Sequence, residues 1–149
     1  MKRSLLRSFL GWALPGMLLC TAFSATAACP AVADIEPKML VGTWHIEWTD
    51  GGRQRGEAPW TLVLAPHPEY EGSLKGHLSR GSERHLVVAD WDDEALTMEE
   101  SVDGQRIDAT WQAQATDGQC AREFRGIRFT GSEPDASARR FRMRAAMPR

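Results

Sequence analysis

A run of carboxylates between residues 90 and 104, DWDDEALTMEESVDG, has residue types and spacing that could support chemistry. It contains no basic residue, so it could hold a hard cation or dock a basic partner. A calcium loop, however, needs alternating oxygen ligands and a glycine at its sharp turn, as in D-x-D-x-D-G, and this arrangement is missing. We therefore predict a solvated hairpin that carries the acidic side chains Asp90, Asp92, Asp93, Glu94, Glu99, Glu100 and Asp103.

The other side chains that could do chemistry form no catalytic or metal-binding pattern. Zinc needs about three or four converging ligands, and neither H-x-x-x-H nor C-x-x-C spacing occurs in the sequence. No serine lies in a nucleophile-elbow context, and no cysteine stays free if the exported pair forms a disulfide. We expect no catalytic residue, no metal site and no cofactor, and hence no enzyme.

Tryptophans supply the second candidate site. The segment LVGTWHIEWTD, residues 40 to 50, places Trp44 and Trp48 on one face of an extended chain, because successive side chains point to opposite faces. Trp60 and Trp111 fall in the same inward-facing register of later segments. Two interpretations stay open. The four indoles either fill a small core or line a pocket for a small apolar or amphipathic ligand.

Short segments with alternating polar and apolar residues must position these side chains. Asp103-Gly104 and Asp117-Gly118 mark hairpin turns, because an Asp-Gly pair tolerates the positive φ angles of tight turns. Gly126, where the alternation changes phase, predicts a β-bulge, and contiguous apolar residues within 84–91 indicate a strand covered on both faces. Apart from one helical or 3₁₀ turn near residues 35–40, we predict strands at residues 41–49, 59–66, 73–80, 84–91, 95–101, 105–114, 120–130 and 139–146.

Most of these strands have one apolar and one polar face, which is typical of an antiparallel sheet with one wet side. Eight such strands joined by short connections leave unpaired edges unless the sheet closes. We therefore predict an all-β fold, an eight-stranded antiparallel up-and-down (meander) barrel with its apolar faces turned inward. A barrel of this size is either filled by its own side chains or able to hold one small ligand.

The N-terminus has the pattern of a secretory signal peptide. Three basic residues precede an apolar run from Phe9 to Phe23, and Ala25-Thr26-Ala27 offers the small residues of a cleavage site. The run is too short to span a membrane, and Pro15-Gly16 interrupts it. We expect residues 1–27 to be removed, residues 28–149 to form a single barrel domain, and the product to be periplasmic or secreted without a membrane span.

Charge narrows the range of partners. Loss of the three basic residues of the signal leaves 15 of the 18 basic residues against 20 acidic ones, a formal net charge of −5. Nucleic acid is therefore not an expected partner. The basic residues are unevenly placed, because residues 122–149 hold eight arginines against three acids. This basic region and the acidic run either pair across the barrel or form a dipole that steers partners.

Two cysteines remain in the exported chain, Cys29 and Cys120. In an oxidising compartment they most simply form one disulfide, which closes a loop of about 90 residues and contributes on the order of 4 kcal/mol in the chain-entropy model. The alternative is a lipoprotein with lipidated Cys29, but Thr26 stands where a leucine-like residue is expected at minus three.

Gly42-Thr43-Trp44 at the start of the first strand resembles the Gly-x-Trp that opens lipocalins, avidin-like proteins and fatty-acid-binding proteins, together the calycins. The resemblance implies a meander barrel with the first-strand tryptophan at its closed end. It also implies a basic residue of the last strand across that indole, for which Arg142 or Arg144 is the candidate. The stretches PEYEGSLKG and EESVDGQRIDATW are similar to small exported bacterial proteins without an assigned activity.

These features favour an exported, non-catalytic binding protein whose ligand-binding residues are Trp44, Trp48, Trp60 and Trp111. The alternative is a protein-interaction module, for example an inhibitor of a secreted or envelope enzyme, that acts through loops 50–58 and 66–72. In the first case the partner is a small apolar or amphipathic molecule, and in the second it is an envelope or secreted protein.

Overall fold

The computed structural model describes residues 29–50, 59–131 and 133–146. The predicted signal segment and most of loop 50–58 lie outside these residues. Two short 3₁₀ helices, Val32–Asp34 and Pro37–Leu40, precede the first strand and agree with the predicted turn near residues 35–40. Eight strands follow: β1 Gly42–Trp48, β2 Trp60–Pro66, β3 Leu74–Arg80, β4 Glu83–Asp92, β5 Ala95–Ser101, β6 Ala109–Ala115, β7 Glu123–Phe129 and β8 Arg139–Ala145.

The eight strands form a closed barrel in sequence order. Each strand pairs antiparallel with the next, and β8 returns to β1 in a register that runs from Trp44↔Ala145 to Trp48↔Phe141. The predicted up-and-down barrel is therefore confirmed. No helix among the described residues is both long and apolar enough to cross a membrane.

Alternation within the strands gives the barrel its apolar interior. Side chains at every second position, such as Trp44 and Ile46 in β1 or Leu62 and Leu64 in β2, are at most 2% exposed. Rings from strands that are not neighbours touch each other through the interior, for example Trp44 of β1 and Phe124 of β7, whose centroids are 5.4 Å apart. The inward-facing register predicted for the tryptophans is therefore the one that the barrel uses.

The barrel has two distinct ends. We call the end where β1 begins the base, and the end where β1 stops at Trp48 and β2 starts at Trp60 the rim. At the base, the entry segment of residues 29–41 packs against the strands, and Leu40 is fully buried. The Trp44 indole N–H donates a 2.9 Å hydrogen bond to the Leu40 carbonyl, so the base is closed by apolar packing and one main-chain contact.

A disulfide also lies at the base. Cys29 bonds to Cys120, and their Cα atoms are 4.4 Å apart. Cys120 belongs to the connection between β6 and β7, so the disulfide links the entry segment covalently to the β6–β7 connection. The predicted pairing is confirmed, and a sulfur held in this bond is not available for a lipid.

The connection between β5 and β6 is longer than predicted. β6 begins at Ala109 rather than at residue 105, and Ile107, which the alternation placed inside, is 58% exposed. The reason is side-chain competition for main-chain groups. The Asp103 carboxylate accepts hydrogen bonds from the N–H groups of Gln105 and Arg106, and Asp108 accepts one from the N–H of Val102 at 2.7 Å. These bonds hold a loop where the Asp-Gly pair predicted a tight hairpin.

Two further predictions about strands are wrong. β7 pairs with β6 without a break from Phe124 to Phe129, so Gly126 marks no bulge. A Cβ atom at this glycine would lie 1.9 Å from the Gln112 carbonyl oxygen, so the position requires glycine because the two main chains approach closely. In β4, only one face is fully covered, because Val87 is buried whereas its neighbour Leu86 is 46% exposed.

Candidate functional site

The four predicted ligand-binding tryptophans divide between the two ends of the barrel. Trp44 lies at the base, buried against Phe124, and takes part in its closure. Trp48, Trp60 and Trp111 lie towards the rim, where Trp48 and Trp111 stack across the interior with ring centroids 5.6 Å apart. The structure thus brings three of the four together and places the fourth elsewhere.

The three rim tryptophans differ in how far they are covered. Trp111 is 1% exposed and also packs edge-on against Phe141 at 4.9 Å, so it belongs to the packed interior. Trp60 is 8% exposed and Trp48 is partly buried. Of the three, Trp48 is therefore the most accessible and Trp111 the least.

Each rim tryptophan carries a guanidinium group over its ring. Arg139 lies 4.1 Å from the Trp48 centroid, and Arg80 and Arg128 lie 4.5 and 5.5 Å from those of Trp60 and Trp111. All three arginines occupy inward-facing positions at the rim ends of β8, β3 and β7. A cation over an aromatic face is attracted by the ring quadrupole, so each pair holds its indole and its guanidinium in a fixed arrangement.

A buried carboxylate lies beneath these pairs. Glu100, at an inward position of β5, is 1% exposed and accepts a hydrogen bond of 2.8 Å from the Trp111 indole N–H. Arg128 donates to both carboxylate oxygens, at 2.9 and 3.2 Å. Nδ1 of His85 lies 2.5 Å from Oε1 of the Glu100 carboxylate. Both oxygens are therefore satisfied by donors from β4, β6 and β7.

These contacts decide the protonation state of Glu100. Burial of the carboxyl group raises its pKa, but the hydrogen bonds and the charge of Arg128, together with the bonds from His85 and Trp111, outweigh burial. The net result is a pKa below the ordinary value of 4.5. The group is therefore an ionised acceptor at neutral pH and keeps Arg128 and the Trp111 indole in position.

The two outer arginines also have acidic partners. Arg80 forms an ion pair of 3.1 Å with Glu83, and Arg139 lies 3.7 Å from Asp50. The side chains of Glu83 and Arg139 are 50% and 38% exposed, so both ion pairs are in contact with solvent. Partly exposed pairs of this kind contribute only about 0 to 1 kcal/mol each.

Sequence reasoning missed the charged members of this site. In β5, Glu100 takes the next inward-facing position after Leu96 and Met98. In β7, Arg128 takes the next inward-facing position after Phe124 and Gly126. From the sequence, Glu100 is predicted on a solvated hairpin, and Arg128 counts only as part of the basic region of residues 122–149. The placement of Glu100 on a solvated hairpin is wrong because its side chain faces the interior. The rest of the acidic run does form the β4–β5 hairpin, which turns at Asp93 and Glu94, both with positive φ.

The implied contact between a last-strand arginine and the Trp44 indole is also wrong. Phe141 and Met143 take the inward positions of β8, so Arg142 and Arg144 point outward. Arg142 pairs with Glu47 at 2.6 Å and Arg144 with Glu123 at 2.8 Å. The arginine of β8 that covers an indole is Arg139, and it does so at the opposite end of the barrel.

Grooves elsewhere on the described surface are shallow. A cavity of about 560 Å³ lies outside the base, between Met39, Val41 and the segment Cys120–Arg122. Another of about 410 Å³ crosses the outer faces of β5, β6 and β7. No group of three or more histidine, cysteine, aspartate or glutamate side chains in the described part of the chain could hold a metal ion.

Comparison of the sequence with protein-family models gives no match, and comparison with curated proteins gives none. Assignment of a function therefore depends on the geometry of the rim.

Proposed function

We propose that the protein is an exported, non-catalytic binding protein that holds a small amphipathic molecule at the rim of its barrel. The apolar part of the ligand would pack on Trp48 and Trp60, and its polar group, an anion in the form that fits best, would reach Arg80 or Arg139. The observation that carries this proposal is the set of three tryptophan–arginine pairs that converge at one end of the barrel.

The division of the interior supports a site at the rim rather than in the centre. Trp44 and Trp111 are almost fully buried against other rings, which makes them core residues. Trp48 is only partly buried and Trp60 is 8% exposed, and aromatic side chains are common elements of the lining of ligand sites. Export is supported by the N-terminal pattern and by a disulfide, which persists in an oxidising compartment.

Two matched probes test this function. 8-Anilinonaphthalene-1-sulfonate and N-phenyl-1-naphthylamine share one ring system, and only the first carries an anionic group. Titration of the purified protein, followed by tryptophan and probe emission, should give saturable binding of both, with the anionic probe binding about tenfold tighter because of one charge-assisted contact. Absence of saturable binding for either probe would contradict the proposal.

A pair of variants locates the binding site. Trp48→Leu should weaken binding of the anionic probe about tenfold, because an aromatic contact contributes about 1 to 1.5 kcal/mol. Trp91→Leu removes a partly buried indole that packs on Phe124 towards the base, and should leave binding unchanged. Equal losses in the two variants would show that the probes do not bind at the rim.

A specific observation also favours the second function, a protein-interaction module. The loop between β2 and β3 presents Tyr70, which is 63% exposed. Nδ1 of His67 accepts hydrogen bonds from the N–H groups of Glu69 and Tyr70, so the loop is internally braced. Rigid exposed tyrosines are frequent anchors of protein interfaces. Loop 66–72 would act alone, because it joins strands at the base, whereas residues 50–58 connect strand ends at the rim.

Pull-down from envelope extracts distinguishes this second function. The intact protein is compared with a Tyr70→Ser variant for the partner that each retains. The variant keeps the main-chain hydrogen bonds to His67 and loses the Tyr70 ring, which lies 4.7 Å from the His67 ring. Retention of one partner by the intact protein and its loss from the variant would favour interaction through this loop. Equal retention would reject it.

A further inference from the structure

The outer face of β8 carries an arginine at every second position. Arg140, Arg142 and Arg144 point away from the barrel interior, and Arg125 of β7 lies directly opposite Arg142 in the antiparallel register. Alternate residues of a strand are about 6.6 Å apart, so the backbone positions that carry the three β8 arginines form a row with that spacing. We call the set Arg125, Arg140, Arg142 and Arg144 the arginine face.

Carboxylates neutralise only part of the arginine face. Glu123 is buried and serves two partners, Arg125 at 2.9 Å and Arg144 at 2.8 Å. Glu47 of β1 pairs with Arg142. No acidic side chain in the described ranges pairs with the guanidinium of the exposed Arg140. Four guanidinium groups thus share two carboxylates.

The arginine face keeps a local excess of positive charge, although Arg125 and Arg142 each have a carboxylate partner. Like charges directly opposite each other on neighbouring strands destabilise a sheet, and Arg125 and Arg142 are such a pair. The excess of positive charge occurs in a chain whose formal net charge is −2. It lies on the opposite side of the barrel from β4, which carries Asp90 and Asp92. The arginine face is therefore the positive end of a dipole across the barrel.

The neighbouring surface indicates what kind of anion fits. A groove of about 410 Å³ adjoins Arg125 and is lined by hydroxyl and amide side chains, among them Thr97, Gln112 and Gln114. Amide side chains both donate and accept hydrogen bonds, as main-chain peptide groups do. Guanidinium groups bind carboxylates bidentately. The combination matches a polypeptide with acidic side chains.

A lipid surface fits less well. Proteins that bind membranes peripherally place large apolar or aromatic side chains next to their basic residues. Within the described residues, none of the exposed large hydrophobic side chains belongs to β7 or β8. Met39 and Val41 lie at the base, where they line a groove with Arg122 and Ala145. The others belong to loops or to β4: Tyr70, Leu86, Val102 and Ile107.

We propose that the arginine face binds an extended acidic segment of a partner protein. In an extended segment with an acidic residue at every second position, the carboxylates repeat at about 6.6 Å, the spacing of the β8 arginines. Each carboxylate pairs with one guanidinium, and main-chain groups of the segment meet Gln112 and Gln114. The surface is separate from the rim, so this interaction does not depend on a ligand there.

Fluorescence anisotropy with a defined peptide tests the proposal. The probe is a labelled peptide of six Glu-Thr repeats, and its control is the same peptide with glutamine in place of glutamate. The full protein should bind the acidic peptide saturably and the neutral one at least tenfold more weakly. Failure to bind the acidic peptide, or equal binding of both, overturns the proposal.

Two matched variants separate the arginine face from overall charge. Arg140→Gln removes a guanidinium without an internal carboxylate partner, and should weaken peptide binding about fivefold. Arg84→Gln removes one from the opposite side of the barrel, on β4, and should change binding less than twofold. Unchanged thermal midpoints establish that both variants are folded. Equal weakening in both variants would mean that only net charge matters, which contradicts a specific site.

Lipid vesicles test the alternative occupant, a lipid surface. Phosphatidylcholine vesicles with and without 30% phosphatidylglycerol, as an experimental composition of about one anionic lipid in three, are sedimented with the protein. Co-sedimentation that Arg140→Gln abolishes, together with no peptide binding, would identify a lipid surface as the occupant and reject the polypeptide. Peptide binding without co-sedimentation supports it.

Discussion

The base and the rim are two ends of one barrel interior, and they provide different hydrogen-bond acceptors for the indole N–H groups of their tryptophans. At the base, the Trp44 indole donates to the main-chain carbonyl of Leu40. At the rim, the Trp111 indole donates to the carboxylate of Glu100, which also binds Arg128 and His85. Inside the barrel, a neutral main-chain partner serves the base, whereas a buried charged network serves the rim. The buried carboxylate at the base end, Glu123, pairs instead with arginines of the outer face, Arg125 and Arg144.

The disulfide and the apolar closure lie at the base, and the proposed binding residues lie at the rim. Buried ionic networks contribute little net stability over an apolar replacement, yet they are costly to break. Apolar packing and a disulfide at the base hold the fold together. The rim adds to this base a buried carboxylate and three tryptophan–arginine pairs.

The largest expected effect comes from removal of the disulfide at the base. Cys29→Ser combined with Cys120→Ser should lower the free energy of unfolding by about 4 to 5 kcal/mol, because the unfolded chain regains the entropy of a loop of 91 residues. Urea denaturation measures the change. Under conditions where the variant is folded, binding of the anionic probe at the rim should stay within about twofold. A folded variant that has lost this binding would show that the two ends are coupled.

The next largest effect is expected at the rim. Glu100→Ala removes the common acceptor of Arg128, Trp111 and His85. It leaves the partly buried Arg128 cation and the buried Trp111 indole without that acceptor, and should destabilise the protein by about 3 kcal/mol. Its control is Glu99→Ala, one position along on the outer face of β5, with an expected change of about 0.5 kcal/mol or less. Similar urea midpoints for the two variants would contradict a structural role for the network.

A smaller effect compares the two indole hydrogen bonds directly. Trp111→Phe deprives a carboxylate of a donor and should cost about 2 to 3 kcal/mol, whereas Trp44→Phe loses a bond to a neutral carbonyl and should cost about 1 kcal/mol. Both changes remove a similar ring area, so the difference reports the charge of the acceptor. Equal costs, measured by chemical denaturation, would argue against a charged rim network.

The smallest effect is a dependence of stability on pH. The pKa of Glu100 lies below 4.5 in the folded protein, so the unfolded chain binds more protons as the pH falls through that value. This contribution is therefore complete above about pH 4.5 and is lost at lower pH. The Glu100→Gln variant should lose less stability than the unaltered protein between about pH 5 and pH 3. Parallel curves of unfolding free energy against pH would contradict an ionised Glu100.

Much of the fold was predictable because alternation dominates the strands. The segments of β1, β2, β3 and β5 alternate regularly, and their predicted bounds fall within one residue of those observed. The start of β6 was not predictable in this way, since the Asp103 and Asp108 side chains bind main-chain groups and hold a loop. Alternation records which face a residue takes, but not the local hydrogen bonds that end a strand.

The candidate site was only partly predictable. Its tryptophans stand out by residue type and by register, but Glu100, Arg128 and Arg139 are charged residues in inward positions. A prediction based on hydropathy assigns such residues to the surface. The residues that they pair with, Glu100 with Arg128 and Arg139 with Trp48, are 28 and 91 positions away in the sequence. Only closure of the barrel brings them together.

Closure has a consequence for how any partner can be recognised. Every strand of the barrel has a neighbour on both sides, so no strand edge offers a row of main-chain groups to an incoming chain. A peptide therefore cannot bind this fold by β-augmentation, in which it would extend a sheet at an open edge. Specificity must therefore depend on side chains. Single substitutions on the surface should alter the choice of partner while leaving the barrel fold intact.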